Sequence, residues 1–96
     1  MRKVTVNRPQ KIVFPFTKGK IIVDGTEREI VKAGKSATFE IPDGSHTLQV
    51  VFASIPPTES NFEEIGAAEG DTSFEIKIKV PVGSYESTSA ELTKLN

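Results

Sequence analysis

Ser73-Phe74-Glu75-Ile76-Lys77-Ile78-Lys79-Val80 alternates without a fault: Phe74, Ile76, Ile78 and Val80 fall on one side of an extended chain, Ser73, Glu75, Lys77 and Lys79 on the other. An apolar face opposite a polar one at period two predicts a β-strand that packs on one side and meets water on the other. Two further runs repeat the pattern. Ala37, Phe39 and Ile41 alternate with Ser36, Thr38 and Glu40, and His46, Leu48, Val50 and Phe52 alternate with Thr47, Gln49, Val51 and Ala53. The second is apolar on both faces near its end, so it reads as a central strand. No stretch sustains an apolar stripe at a period of about 3.6 residues, so the fold class is all-β.

Turn chemistry cuts these runs at short intervals. Lys18-Gly19-Lys20, Asp24-Gly25-Thr26, Ala33-Gly34-Lys35 and Pro42-Asp43-Gly44-Ser45 each supply a glycine able to take positive φ at a chain reversal, and Asp-Gly between alternating runs is a hairpin signal. Strands are therefore expected near 2–7, 10–14, 19–24, 27–32, 35–41, 45–53, 61–67 and 72–80, with adjacent ones joined as hairpins. About seven to eight short strands at this spacing predict an antiparallel β-sandwich, Ig-like or transthyretin-like (prealbumin-like), over residues 1–82. Ser54 to Ser60 contains Pro56 and Pro57, which lack ladder donors, so the chain is expected to cross between sheets there or to form an exposed loop. Residues 83–96 lose the alternation, and Ser89-Ala90-Glu91-Leu92-Thr93-Lys94-Leu95 reads as roughly one or two helical turns in a flexible tail.

Composition narrows the functional classes. The chain has 96 residues, 36% hydrophobic and 26% charged, which suits one soluble globular domain and excludes a disordered chain. Twelve Lys plus Arg against thirteen Asp plus Glu give a net charge of -1, with no basic cluster, so nucleic-acid binding is not expected. No run approaches the roughly 18 apolar residues of a membrane span, so no membrane insertion is expected. The absence of cysteine removes disulfides, thiolate metal sites and cysteine nucleophiles, and suits a reducing compartment. With Met1 as the native start the expectation is a cytoplasmic protein; with a lost leader it is the cell envelope or surface.

Candidate chemistry is sparse. His46 is the single imidazole, and no nucleophile or second titrating group stands beside it in sequence, so it reads as a histidine at a turn or strand start. One His without Cys leaves only carboxylates for zinc, and no metal or cofactor is expected. Gly34-Lys35-Ser36 resembles the end of a phosphate loop, but the glycine five positions earlier is replaced by Glu29 and a strand follows where a helix should, so it reads as a turn. Glu27 and Glu29, on one face of a strand about 7 Å apart, have the spacing of a glycosidase pair, as any solvated strand does; Glu63 and Glu64 are the other adjacent carboxylates. A sugar-binding reading would draw on Phe14, Phe16, Phe62 and Tyr85, although core packing is favoured for the phenylalanines. Pro15 suggests an interrupted edge that leaves Phe14 or Phe16 outside.

Several elements in a row carry a resemblance. They are Ile21-Ile22-Val23-Asp24-Gly25, Gly34-Lys35-Ser36, Thr38-Phe39-Glu40-Ile41, and Pro42-Asp43-Gly44-Ser45-His46-Thr47-Leu48-Gln49-Val50. Over roughly residues 3 to 80 the chain resembles PEGA-type and related small bacterial β-sandwich domains, although the Pro-Glu-Gly-Ala tetrapeptide is absent. The resemblance implies a non-catalytic sandwich of the kind appended to envelope or surface proteins, with no active site to carry over. The expectation is therefore a non-enzymatic interaction or structural module that meets a protein partner or its own copy through a strand edge. The alternative is a domain binding carbohydrate or another envelope ligand. Phe14, Phe16 and His46 are the binding candidates.

Overall fold

The computed structural model describes residues 1–9, 18–53, 57–79 and 89–95. These form nine strands and no helix: β1 Arg2–Asn7, β2 Lys18–Val23, β3 Thr26–Lys32, β4 Ser36–Ile41, β5 His46–Phe52, β6 Thr58–Glu59, β7 Glu63–Ile65, β8 Thr72–Lys79 and β9 Ser89–Lys94. One sheet runs β4-β1-β8-β9, and the other β3-β2-β5-β6 with β7 also paired to β5. The two pack face to face as a β-sandwich. The core is the inward half of each alternating run: Val4, Val6, Phe39, Ile41, Phe74, Ile76 and Leu92 from the first sheet meet Ile21, Val23, Leu48, Val50, Phe52 and Ile65 from the second. Each such side chain contributes about 1.5–3 kcal/mol when fully buried, and this burial holds the layers together. Ile76 is fully buried while Lys77 is exposed, as the alternation requires. β5 lies between β2 and β6, the internal position its two apolar faces predict.

Several expectations are corrected. Asp24-Gly25 does close a hairpin, β2–β3, with Asp24 at φ 52 and Gly25 at φ 82, the two left-handed residues of a tight I′ turn. The turns at Gly34 and Gly44 instead carry the chain between sheets, from β3 to β4 and from β4 to β5. Gly19 is no turn residue: it lies inside β2, buried, and a β-carbon there would come within 2.9 Å of both the Phe52 ring and the Val50 side chain. It is glycine because Phe52 lies across it. The sheets are not purely antiparallel, since β1 and β8 pair in parallel, Val4 opposite Thr72 through Asn7 opposite Glu75. Both strands start at the same end of the sandwich, and the intervening chain supplies the long return a parallel pair needs.

Of the two alternatives expected at 54–60, the crossing between sheets occurs instead at 66–71, and residues 54–56 lie outside the described residues. β6 folds back on Phe52 and Val51 in the sheet of β5, and β8 enters the other sheet. Residues 89–94 are a strand, not helical turns: β9 pairs antiparallel with β8 from Lys79 opposite Ser89 to Phe74 opposite Lys94, and Leu92 enters the core. Its helix-tolerant composition yields to the pairing that β8 offers. The strand expected at 10–14 and the tail residues 83–88 lie outside the described residues.

Candidate functional site

β1, β5 and β8 begin, and β2, β4, β7 and β9 end, at one end of the sandwich, and the polar residues gathered there form two joined clusters. Arg2 opens the inward face of β1 and is 8% exposed. Its guanidinium meets four backbone carbonyls: Nη1 donates to Gly66 O at 2.7 Å and Glu69 O at 2.9 Å, and Nη2 donates to Pro42 O at 3.3 Å and to Gly44 O. The planar fork thus ties the β4–β5 connection to the β7–β8 connection across both sheets. Glu69 completes the second loop, accepting from Gly66 N at 2.6 Å and from Lys94 Nζ at 2.9 and 3.0 Å. The hydrogen bonds from Lys94 and Gly66 hold the Glu69 carboxyl below its ordinary range.

His46, at the start of β5 where the sequence places it, lies beside this clamp. Nδ1 is 2.6 Å from Asp24 Oδ2 and Nε2 is 2.8 Å from Pro42 O. A carboxylate and a carbonyl can only accept, so both ring nitrogens must donate and the geometry selects the imidazolium. The Asp24 hydrogen bond raises the His46 pKa above its ordinary 6.5, ahead of the burial that lowers it; the Pro42 carbonyl adds to the rise and the nearby Arg2 charge opposes it. Asp24 is pushed the other way, first by His46 and then by Thr47 N, which donates to Oδ1 at 2.9 Å. Asp24 N also donates to Thr47 O at 2.9 Å. The carboxylate therefore stands in for a ladder carbonyl where the backbone has turned left-handed. With both ring nitrogens engaged, the Asp24–His46 pair joins the β2–β3 turn to the β4–β5 connection.

The sandwich is open along two sides, and both edges are blunted by a side chain from the facing sheet. On one side the β2–β3 register shifts between Ile21 and Ile22, so that Ile21 faces Glu29, Ile22 faces Glu27 and Arg28 is the extra residue. This bulge re-aims Arg28, whose Nη2 donates to Glu40 O on β4 at 2.7 Å. On the other side, Val50 N donates to Ser60 Oγ at 2.9 Å and Ser60 N donates to Val50 O at 2.8 Å, after which the chain leaves β5 briefly. There Asn61 crosses to β9: Nδ2 donates to Leu92 O at 3.0 Å, and Leu92 N donates to Oδ1 at 2.7 Å. Beside Asn61 is an open groove of about 510 Å³ lined by Asn61, Glu63 and residues 89–93.

Of the binding candidates, His46 is placed as above, while Phe14 and Phe16 lie outside the described residues, as does Tyr85. Phe62 is 66% exposed, not core. Gly34-Lys35-Ser36 is a turn, with Gly34 at φ 71. Glu27 Oε1 is 3.9 Å from Lys20 Nζ, and Glu29 Oε1 accepts from its neighbour Ile30 N at 3.1 Å. Among the described residues no three His, Asp or Glu side chains gather in a group able to hold a metal ion, and no helix is long and apolar enough to cross a membrane.

Sequence reasoning missed Arg2, Arg8 and Asn61. The first two were findable: Arg2, Val4, Val6 and Arg8 fall on one face at period two, and all four are buried. Arg8 stacks its guanidinium 4.8 Å above the Phe52 ring, and burial lowers its pKa. Asn61 gave no local signal, because its partner is thirty-one residues away. No family model matches the chain, and no curated protein or solved structure matches it either.

Proposed function

We propose that this chain is a non-catalytic β-sandwich module that acts by pairing the edge of β9 with a protein partner. The observation that carries the reading is the outward backbone of β9 beside an open groove. Leu92 turns its N–H and C=O away from β8 toward Asn61, while Leu95 N donates to Ser73 O at 2.8 Å. Antiparallel alternation then points Ala90 and Lys94 outward as well. Strand addition uses such an outward row of backbone donors and acceptors. The engagement of both His46 nitrogens supports the non-catalytic half, and the resemblance to PEGA-type domains points the same way.

A photo-crosslinking amino acid at Thr93 on β9, with a control at Thr38 on β4, tests the reading in extracts of the native host. Adducts at Thr93 that map to an extended segment of one protein, with none at Thr38, are expected. Equal adducts at both positions, or none at either, contradict it. The exposed Phe62 ring favours a second reading, in which a sugar ring stacks beside the groove. That reading requires glycan-array signal that Phe62→Ala abolishes.

A further inference from the structure

The way Asn61 holds Leu92 identifies the backbone geometry of the groove's ligand. One residue of an incoming antiparallel strand donates its N–H and offers its C=O to the residue opposite. The Asn61 carboxamide makes this same pair of bonds, at 3.0 and 2.7 Å, to a single residue of β9. It is a peptide group lent by the chain to its own edge. On either side, the outward N–H and C=O of Ala90 and Lys94 have no hydrogen-bond partner among the described residues, and the row from 90 to 94 runs about 13 Å at the rise of a strand.

Charge selects among extended partners. The ionisable residues lining the groove are Glu63 and Glu91, both carboxylates, and no lysine or arginine lines it. Glu63 has no ion-pair partner among the described residues. Glu91 lies opposite Lys77 of β8, which leaves Glu63 as the carboxylate that selects a partner, and Lys94 is committed to Glu69 at 2.9 Å and to Glu64 O at 2.8 Å. A second copy of β9 would bring only that same committed lysine and one more glutamate, Glu91. Building on the edge-binding reading, we infer that the β9 edge receives an extended segment bearing Lys or Arg, whose backbone displaces the Asn61 carboxamide from Leu92. Asn61 is then a guard that keeps the edge closed to weak or acidic strands.

The probes are two eight-residue peptides with blocked ends, one alternating Lys with Thr and one alternating Glu with Thr, titrated into the ¹⁵N-labelled protein. The Lys/Thr peptide should shift the amides of Ala90, Leu92 and Lys94 and bind at least about tenfold more tightly than the Glu/Thr peptide, since like charges in a groove are costly. Asn61→Ala, which removes the internal competitor, should tighten Lys/Thr binding about tenfold, the worth of the hydrogen bonds given up. Asn61→Asp, which loses the amide donor and sets a charge against Leu92 O, should also open the edge and serves if the alanine variant unfolds. Glu63→Gln should weaken binding about threefold, as a partly exposed charge pair allows.

The inference is overturned if neither peptide binds, if both bind equally, if the shifts map away from β9, or if both Asn61 variants fold and bind no better than the parent. It is also overturned if the Asn61 variants dimerise in sedimentation without peptide, because the occupant is then a second copy. Failure here with adducts still forming at Thr93 would leave the edge-binding reading standing; failure of both would remove it.

Discussion

Asp24-Gly25 and Asp43-Gly44 are the same dipeptide set to different work. The first reverses the chain within one sheet, where neighbouring strands lie about 4.8 Å apart, and two left-handed residues suffice. The second passes from β4 to β5 in facing sheets, where the gap is about 10 Å, and only Gly44, at φ 109, is left-handed. The hairpin turn is fixed chiefly by its own dihedrals and by the ladder around it. The crossover is fixed from outside, by Arg2 on Pro42 O and Gly44 O and by His46 on Pro42 O. His46 also joins the two turns, through Asp24. A dipeptide signal thus marks where the chain bends, and a distant Arg2 together with the nearby His46 decides how the second bend is held.

The largest break in this contrast is expected from Arg2→Met. It strips donors from four carbonyls while keeping much of the volume, and should lower unfolding free energy by about 3 kcal/mol in urea melts. A loss near that of an ordinary surface change would show that the crossover holds itself. Next come the glycines. Gly44→Ala should cost about 2 kcal/mol, because no L residue is comfortable at its φ, and Gly25→Ala about 1 kcal/mol, since its φ of 82 is nearer the left-handed well. The reverse order would mean that the hairpin, not the crossover, is the more constrained bend.

The pH dependence follows in size. Because the folded His46 pKa is raised, its stabilising contribution is complete below the unfolded value of 6.5 and fades as pH rises through the folded value. Asp24 and Glu69, whose pKa values are lowered, act oppositely and withdraw their support as acid protonates them below their ordinary 3.8 and 4.5. Stability should therefore decline on the alkaline side of 6.5 in the parent and lose that decline in His46→Gln; an unchanged slope would show the imidazole is not charged in the fold. The smallest effect belongs to Asp43→Ala. Asp43 is exposed and makes no side-chain hydrogen bond among the described residues, so the change should stay within about 0.5 kcal/mol, whereas Asp24→Ala, losing Thr47 N and His46 together, should exceed it.

Much of the fold was legible because alternation is a local signal. β1 matches its expected bounds, and β2, β3, β4, β5 and β8 fall within one residue of theirs. What escaped depends on distant contacts. Gly19 sits between two lysines and looks like a turn, and only the Phe52 ring pressed on it explains the missing side chain. Ser89–Lys94 holds one fully buried residue, Leu92, so its strand character comes from β8. The polar end cluster was read from His46 alone, because Arg2 reaches carbonyls forty and more residues away. The groove was illegible for the same reason: its walls come from 61–63 and 89–93, joined by the Asn61–Leu92 pair.

Residue-by-residue amide exchange along β9 tests the edge most directly. The account predicts that Glu91, Thr93 and Leu95 are protected by β8, that Leu92 is protected by Asn61, and that Ala90 and Lys94 exchange quickly. In Asn61→Ala, Leu92 alone should join the fast set. Uniform protection from 90 to 94, or a Leu92 amide indifferent to Asn61, would contradict it.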